Sequence, residues 1–169
     1  MARVALTITL YMSEIIYRVQ NKTYLTGRSR QNGNNHEEVA NMQNNDDDEA
    51  KNQVLVAIGN AFSTLKTKLS EWLNESETTA NNIQIVESSN LTLALSMPSN
   101  YNKATKDTIS NSASEYLTNM AIAEWFQITN KADAKDYYDA AAANIAAIRE
   151  AANKRVRPTH TTVTVGGTS

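Results

Sequence analysis

The feature that most constrains this chain is the spacing of its apolar residues between Asp46 and Asn74. Leu55, Ile58, Phe62, Leu65, Leu69 and Trp72 recur three and four apart throughout, the period of one helix face and not of a strand. Asp46, Asp47, Asp48 and Glu49 stand at the start of the segment, where negative charge favours the positive end of the helix macrodipole. The stripe predicts a helix from about Asp46 to Asn74, on the order of 40 Å long.

Two more segments carry the same period. From about Asn102 to Thr129, Ile109, Ala113, Tyr116, Leu117, Met120, Ala121, Glu124 and Ile128 share one broad face, which Trp125 and Phe126 widen near its end. After Asn130 and Lys131, a helix from about Ala132 to Arg155 carries Tyr138, Ala141, Ile145, Ile148 and Ala152 as its stripe. Its Ala-rich middle lets a neighbouring helix approach closely. A shorter helix is expected nearer the start, with Ser13 as its N-cap and Glu14 in its first turn. It buries Ile15, Ile16, Val19 and Thr23 and runs to Gly27. Residues 31–45 are dominated by Asn, Gln and Gly, too polar for a core, and read as a loop or a short helix between loops.

Strand signals lie between and outside these helices. Residues 3–11 alternate, with Val4, Leu6, Ile8 and Leu10 on one side and Ala5, Thr7, Thr9 and Tyr11 on the other. Ile83 and Ile85, then Leu91, Leu93 and Leu95, flank Glu87 to Asn90 as two short strands flank a turn, and Met97-Pro98 ends the second. Pro158 stops the last helix, and the tail 159–169 (THTTVTVGGTS) alternates Thr with Val163 and Val165. The fold expected is mainly α: a bundle of three or four helices over residues 1–158, a small β-hairpin at about 83–97, and β-prone extended termini. The tail has no strand beside it in sequence, so it reads either as a disordered end or as a strand that adds to another sheet, such as one on a neighbouring subunit.

Against this supply of packing surface, little in the chain is suited to chemistry. A length of 169 residues suits one core, and the formal net charge of −2 gives no global field toward nucleic acid or an anionic membrane. With no cysteine, disulfides, thiolate metal sites and cysteine nucleophiles are excluded together, which suits a reducing compartment or a particle assembled in one. His36 and His160 have no third ligand at a zinc-like spacing. The acidic run 46–49 lacks the spaced ligands of a calcium loop. No enzyme, cofactor or metal is expected. Arg3 and the run Val4 to Met12 imitate a secretory signal, but Thr7, Thr9 and Glu14 interrupt it and no small-x-small site follows. No run approaches the ~18 apolar residues of a membrane span, so no membrane partner is expected. Trp72, Trp125, Tyr137 and Tyr138 lie in or beside helical stripes, where core packing accounts for them.

What remains are basic residues at two helix ends. Arg149, Lys154, Arg155 and Arg157 cluster at the end of the last helix, and Arg28 and Arg30 follow the first. They suit phosphate contact, and they equally suit helix termination and salt bridges between subunits. With Val163 and Val165 they are the candidate subunit or partner contacts.

The final helical hairpin, SASEYLTNMAIAEWFQITNKADAKDYYDAAAANIAAIREAANKRVRP, resembles the helical core of tailed-bacteriophage head–tail connector proteins. The long segment 46–74 is similar more loosely. The Asn- and Thr-rich, cysteine-free composition also resembles virion proteins of crAss-like phages of gut Bacteroidales. The resemblance implies a structural virion protein assembled in the host bacterial cytoplasm. It implies a homo-oligomeric ring, often dodecameric, that joins the portal to the tail or to other neck proteins, with DNA passing through its lumen. The competing class is a small phage-encoded helical module that binds DNA or regulates a partner.

Overall fold

The alternation at the start of the chain becomes strand β1 (Val4–Leu10), whose Leu6, Ile8 and Leu10 are buried while Ala5, Thr7 and Thr9 face solvent. A computed structural model describes residues 2–80 and 89–160. Over these residues β1 is followed by helices α1 (Met12–Ser29), α2 (His36–Met42) and α3 (Asp48–Lys68), strand β2 (Leu91–Met97), and helices α4 (Lys106–Thr129) and α5 (Lys131–Asn153). The fold is mainly α, with four long helices, a short fifth and one small antiparallel sheet.

In that sheet β2 pairs with β1, Val4 opposite Met97 and Leu10 opposite Leu91. The expected second hairpin strand is therefore present, and its partner is the N-terminal strand. The expected first hairpin strand, near 83–85, lies outside the described residues. The opposite edge of β2 is occupied by the segment after α3: Ser96 N donates to Trp72 O at 2.6 Å, Asn74 N to Ala94 O at 2.9 Å and Thr79 N to Thr92 O at 3.0 Å. This explains why α3 stops at Lys68, about 30 Å from its start, instead of reaching Asn74. Leu69 and Trp72 stay buried, but from Trp72 onward the backbone finds its partners in the sheet, which continued helix would forfeit.

Several boundaries moved for physical reasons. α1 begins at Met12, which is fully buried, with Tyr11 in the cap position and no side-chain cap bond, so Ser13 lies inside the first turn. Nor does Gly27 end α1. It is where α2 crosses, and a Cβ there would stand 3.0 Å from Val39 O. On α3, Val54, Ile58, Phe62 and Leu65 are buried and Leu55 is only half-buried.

α4 departs furthest from expectation. Residues 116–119 and 121–123 are all buried, as is Phe126, while Glu124 and Ile128 are exposed. The helix has no polar side in its middle because α5, α3, α1 and β1 surround it. Its own polar groups are satisfied locally or by α5: Thr118 Oγ1 donates to Ser114 O at 2.9 Å and Asn119 Nδ2 to Asn144 Oδ1 at 2.8 Å. On α5, Ala141, Ile148, Ala151 and Ala152 are buried against it, and Tyr138 and Ile145 are half-buried. α1 is clamped to α4 by Glu115, whose carboxylate receives Arg18 and Lys22, each at 2.9 Å.

Candidate interaction surfaces

The basic candidates fall at opposite ends of α5, roughly 30 Å apart along its axis. At its start, Arg30 meets Asp133. Arg30 Nε donates to Asp133 Oδ2 at 3.1 Å and its Nη2 to the other carboxylate oxygen, while Asn130 Nδ2 donates to Oδ2 at 2.5 Å. Asp133 is buried. The guanidinium holds its carboxyl below the usual range; burial opposes this and the Asn130 amide assists. Arg30 thus ties the end of α1 to the start of α5 within the subunit. Arg28 stands apart, exposed, with its guanidinium 5.7 Å over the ring of Tyr24 and a 3.4 Å contact to the Tyr24 hydroxyl.

At the other end, Arg149 reaches across to α3. It donates to Lys68 O at 2.6 Å and to Glu71 Oε1 at 2.8 Å, and its guanidinium lies 5.4 Å over the Trp72 ring. It therefore satisfies a carbonyl left free where α3 ends. Arg155 donates to Ala152 O at 2.8 Å and to Lys154 O at 3.3 Å, capping α5 itself. Lys154 pairs with Glu150 at 3.1 Å. Arg157 is exposed and makes no ion pair among the described residues. Helix termination accounts for Arg149 and Arg155, leaving Arg28, Lys154 and Arg157 as charges presented outward. Val163 and Val165 lie outside the described residues.

The aromatic residues named from sequence hold elements together. Trp125 Nε1 donates to Met42 O at 2.8 Å and so anchors the end of α2 on α4. Tyr137 packs edge-on against Phe126 with centroids 5.5 Å apart, and its hydroxyl meets Thr26 Oγ1 at 2.9 Å. Tyr138 is raised above the usual tyrosine value by burial and by nearby Glu124. In the acidic run, Asp46 accepts from Gln20 Nε2 at 2.8 Å. Among the described residues no three His, Asp or Glu side chains gather in a metal-binding arrangement. No described helix is long and apolar enough to cross a membrane.

Two surfaces were not singled out from sequence. One is the outer face of α1, where Tyr17, Tyr24 and Leu25 are 66%, 40% and 53% exposed beside Arg28. Tyrosines seven apart on the polar side of an amphipathic helix were its available signal. The other is the outer edge of β1, which left no sequence signal because an edge consists of backbone groups. Comparison with family models, curated proteins and solved structures returns no match.

Proposed function

We propose that this chain is a structural virion protein, a subunit of the head–tail connector (neck) ring that joins portal to tail in a tailed bacteriophage of the crAss-like kind. The observation that carries the reading is the exposed α1 face of Tyr17, Tyr24, Leu25 and Arg28. Aromatic side chains with an arginine, held on a rigid helix, are the composition of a protein-binding surface. The hairpin that resembles connector proteins supports it further, since its first helix, α4, is the centre against which α5, α1, α3 and β1 pack. Arg149 and Arg155 serve the subunit's own helix ends, which weakens the DNA-binding alternative.

The test is the mass of the full-length protein in solution, by native mass spectrometry with negative-stain microscopy. The reading expects a closed multi-subunit ring. A monomer or dimer that binds DNA with a steep salt dependence would overturn it in favour of the DNA-binding module.

A further inference from the structure

β2 shows which backbone groups of β1 point outward. Thr92, Ala94 and Ser96 direct their backbone toward the 72–79 segment: Ser96 N and the carbonyls of Ala94 and Thr92 bond there, and the amides of Ala94 and Thr92 donate to the hydroxyls of Thr78 and Thr79 at 3.1 and 2.9 Å. In an antiparallel pair these directions alternate, so Leu91, Leu93, Leu95 and Met97 bond toward β1. The register sets them opposite Leu10, Ile8, Leu6 and Val4. Ala5, Thr7 and Thr9 therefore aim their N–H and C=O groups away from the sheet, and among the described residues these groups have no partner. Folded proteins usually protect such an edge with a proline, an inward charge or a covering element. β1 contains no proline and no charged residue, and the side chains of Ala5, Thr7 and Thr9 are exposed.

The chain's own C-terminal exit lies beside this edge. Arg155 bridges Tyr101, Asn102 N donates to Lys154 O at 3.0 Å and Val156 N to Asn100 O at 2.8 Å. Tyr101, with Lys103 and Lys106, lines a groove of about 170 Å³ against residues 4–7 of β1. Beyond Val156, residues 157–169 span about 40 Å when extended, more than the length of β1. Within them Thr161 to Val165 (TTVTV) is a β-prone run closed by Gly166 and Gly167. Returning to its own β1, this tail would start at the Val4 end and run parallel, the weaker pairing, after a short link through Pro158. A second copy can present the same run antiparallel, with Thr residues of the tail opposite Thr7 and Thr9.

We infer that the outer edge of β1 receives residues 161–165 of a second copy of this chain as an added antiparallel strand. This deepens the proposed assembly by naming its contact, and the test separates the two. The chain has no cysteine, so a disulfide reports only what is introduced. Thr7→Cys protein is mixed with protein carrying a single cysteine in place of Thr161, Thr162, Val163, Thr164 or Val165, and oxidised mildly. The mixed dimer is expected to dominate at one register, because only directly opposed residues come within disulfide reach. Dominance of the Thr7–Thr7 dimer would mean that the edge pairs with itself, and a bond formed only within a double variant would place the tail on its own β1; either overturns the inference. Thr7→Pro removes an outward N–H and no ladder bond. It is expected to leave helical content unchanged and to weaken self-association at least about tenfold, or ~1.4 kcal/mol. Deleting 159–169 should do the same, and unchanged association in both variants overturns the pairing. A ring without the mixed disulfide defeats the strand addition and spares the ring. A mixed disulfide in an open chain or dimer supports the strand addition and defeats the ring.

Discussion

β1 and β2 are each seven residues long, and each alternates along its sequence, yet they occupy opposite situations. β2 has β1 on one edge and the 72–79 segment on the other, and even Ala94, on its outer face, is 1% exposed. Among the described residues β1 is paired on one edge, and its Thr7 and Thr9 stand in solvent. A strand's period reports which face is buried and is silent about edges, because the edge is made of main-chain groups that every residue carries alike. The half of the sheet around β2 holds the subunit together; the outer edge of β1 has no backbone partner among the described residues.

The sharpest way to break this comparison is to cut into β2. Leu93 is fully buried at its centre, so Leu93→Ala is expected to cost about 2 to 5 kcal/mol in denaturant unfolding. Phe62→Ala on α3, also fully buried, belongs at the upper end of that range. A cost below ~1 kcal/mol at Leu93 would mean that β2 is not the inner strand.

A more discriminating pair uses the same substitution on both sides. Thr78 Oγ1 accepts from Ala94 N at 3.1 Å and donates to Asn74 O at 2.7 Å. Thr78→Val keeps the shape, strands the buried Ala94 N–H, and is expected to cost about 1 to 3 kcal/mol. Thr7→Val, on the solvent side of β1, is expected to change stability by no more than ~0.5 kcal/mol. Equal effects would erase the distinction between the two strands.

A smaller effect concerns the lock between α1 and α5. Asp133 is held below its ordinary value by Arg30, so it binds its proton less readily when folded than when unfolded. Its contribution is present above the unfolded value of about 3.9 and is lost as pH falls through the lower folded value. Thermal melting followed from neutral pH into acid should show the wild type losing an increment that Asp133→Asn lacks. The smallest effect is expected on the outer face of α1. Tyr17→Ser with Tyr24→Ser should leave melting almost unchanged and weaken self-association, whereas a large loss of stability would make that face part of the core.

These contrasts also mark how far the sequence could be read. The mainly α fold, the four long helices and the strand at residues 4–10 follow from periodicity, because a core-facing stripe must repeat with its element. On α4 the stripe is only partly legible: Phe126 is buried as its apolar surface suggests, but Ile122 and Ala123 are buried too while Glu124 and Ile128 are exposed, since a helix enclosed by neighbours has no single stripe. The end of α3 was misplaced because Leu69 and Trp72 keep the helical spacing after the helix has stopped. Helix-end roles for Arg149 and Arg155 were open alternatives in the sequence, and only the nearby Lys68 and Ala152 carbonyls decide between them. The Arg30–Asp133 lock joins residues far apart in the chain, and no local pattern announces it.

The proposal that joins these observations is that assembly fills the one strand edge left open among the described residues. Amide hydrogen exchange by NMR tests it residue by residue. In dilute, unassembled protein, Leu6, Ile8 and Leu10 should exchange slowly and Ala5, Thr7 and Thr9 fast, while Thr92, Ala94 and Ser96 on β2 are slow. In the assembled protein, Ala5, Thr7 and Thr9 should become slow as well. Protection of those three amides in the dilute monomer, or their continued fast exchange at every concentration, would contradict the account.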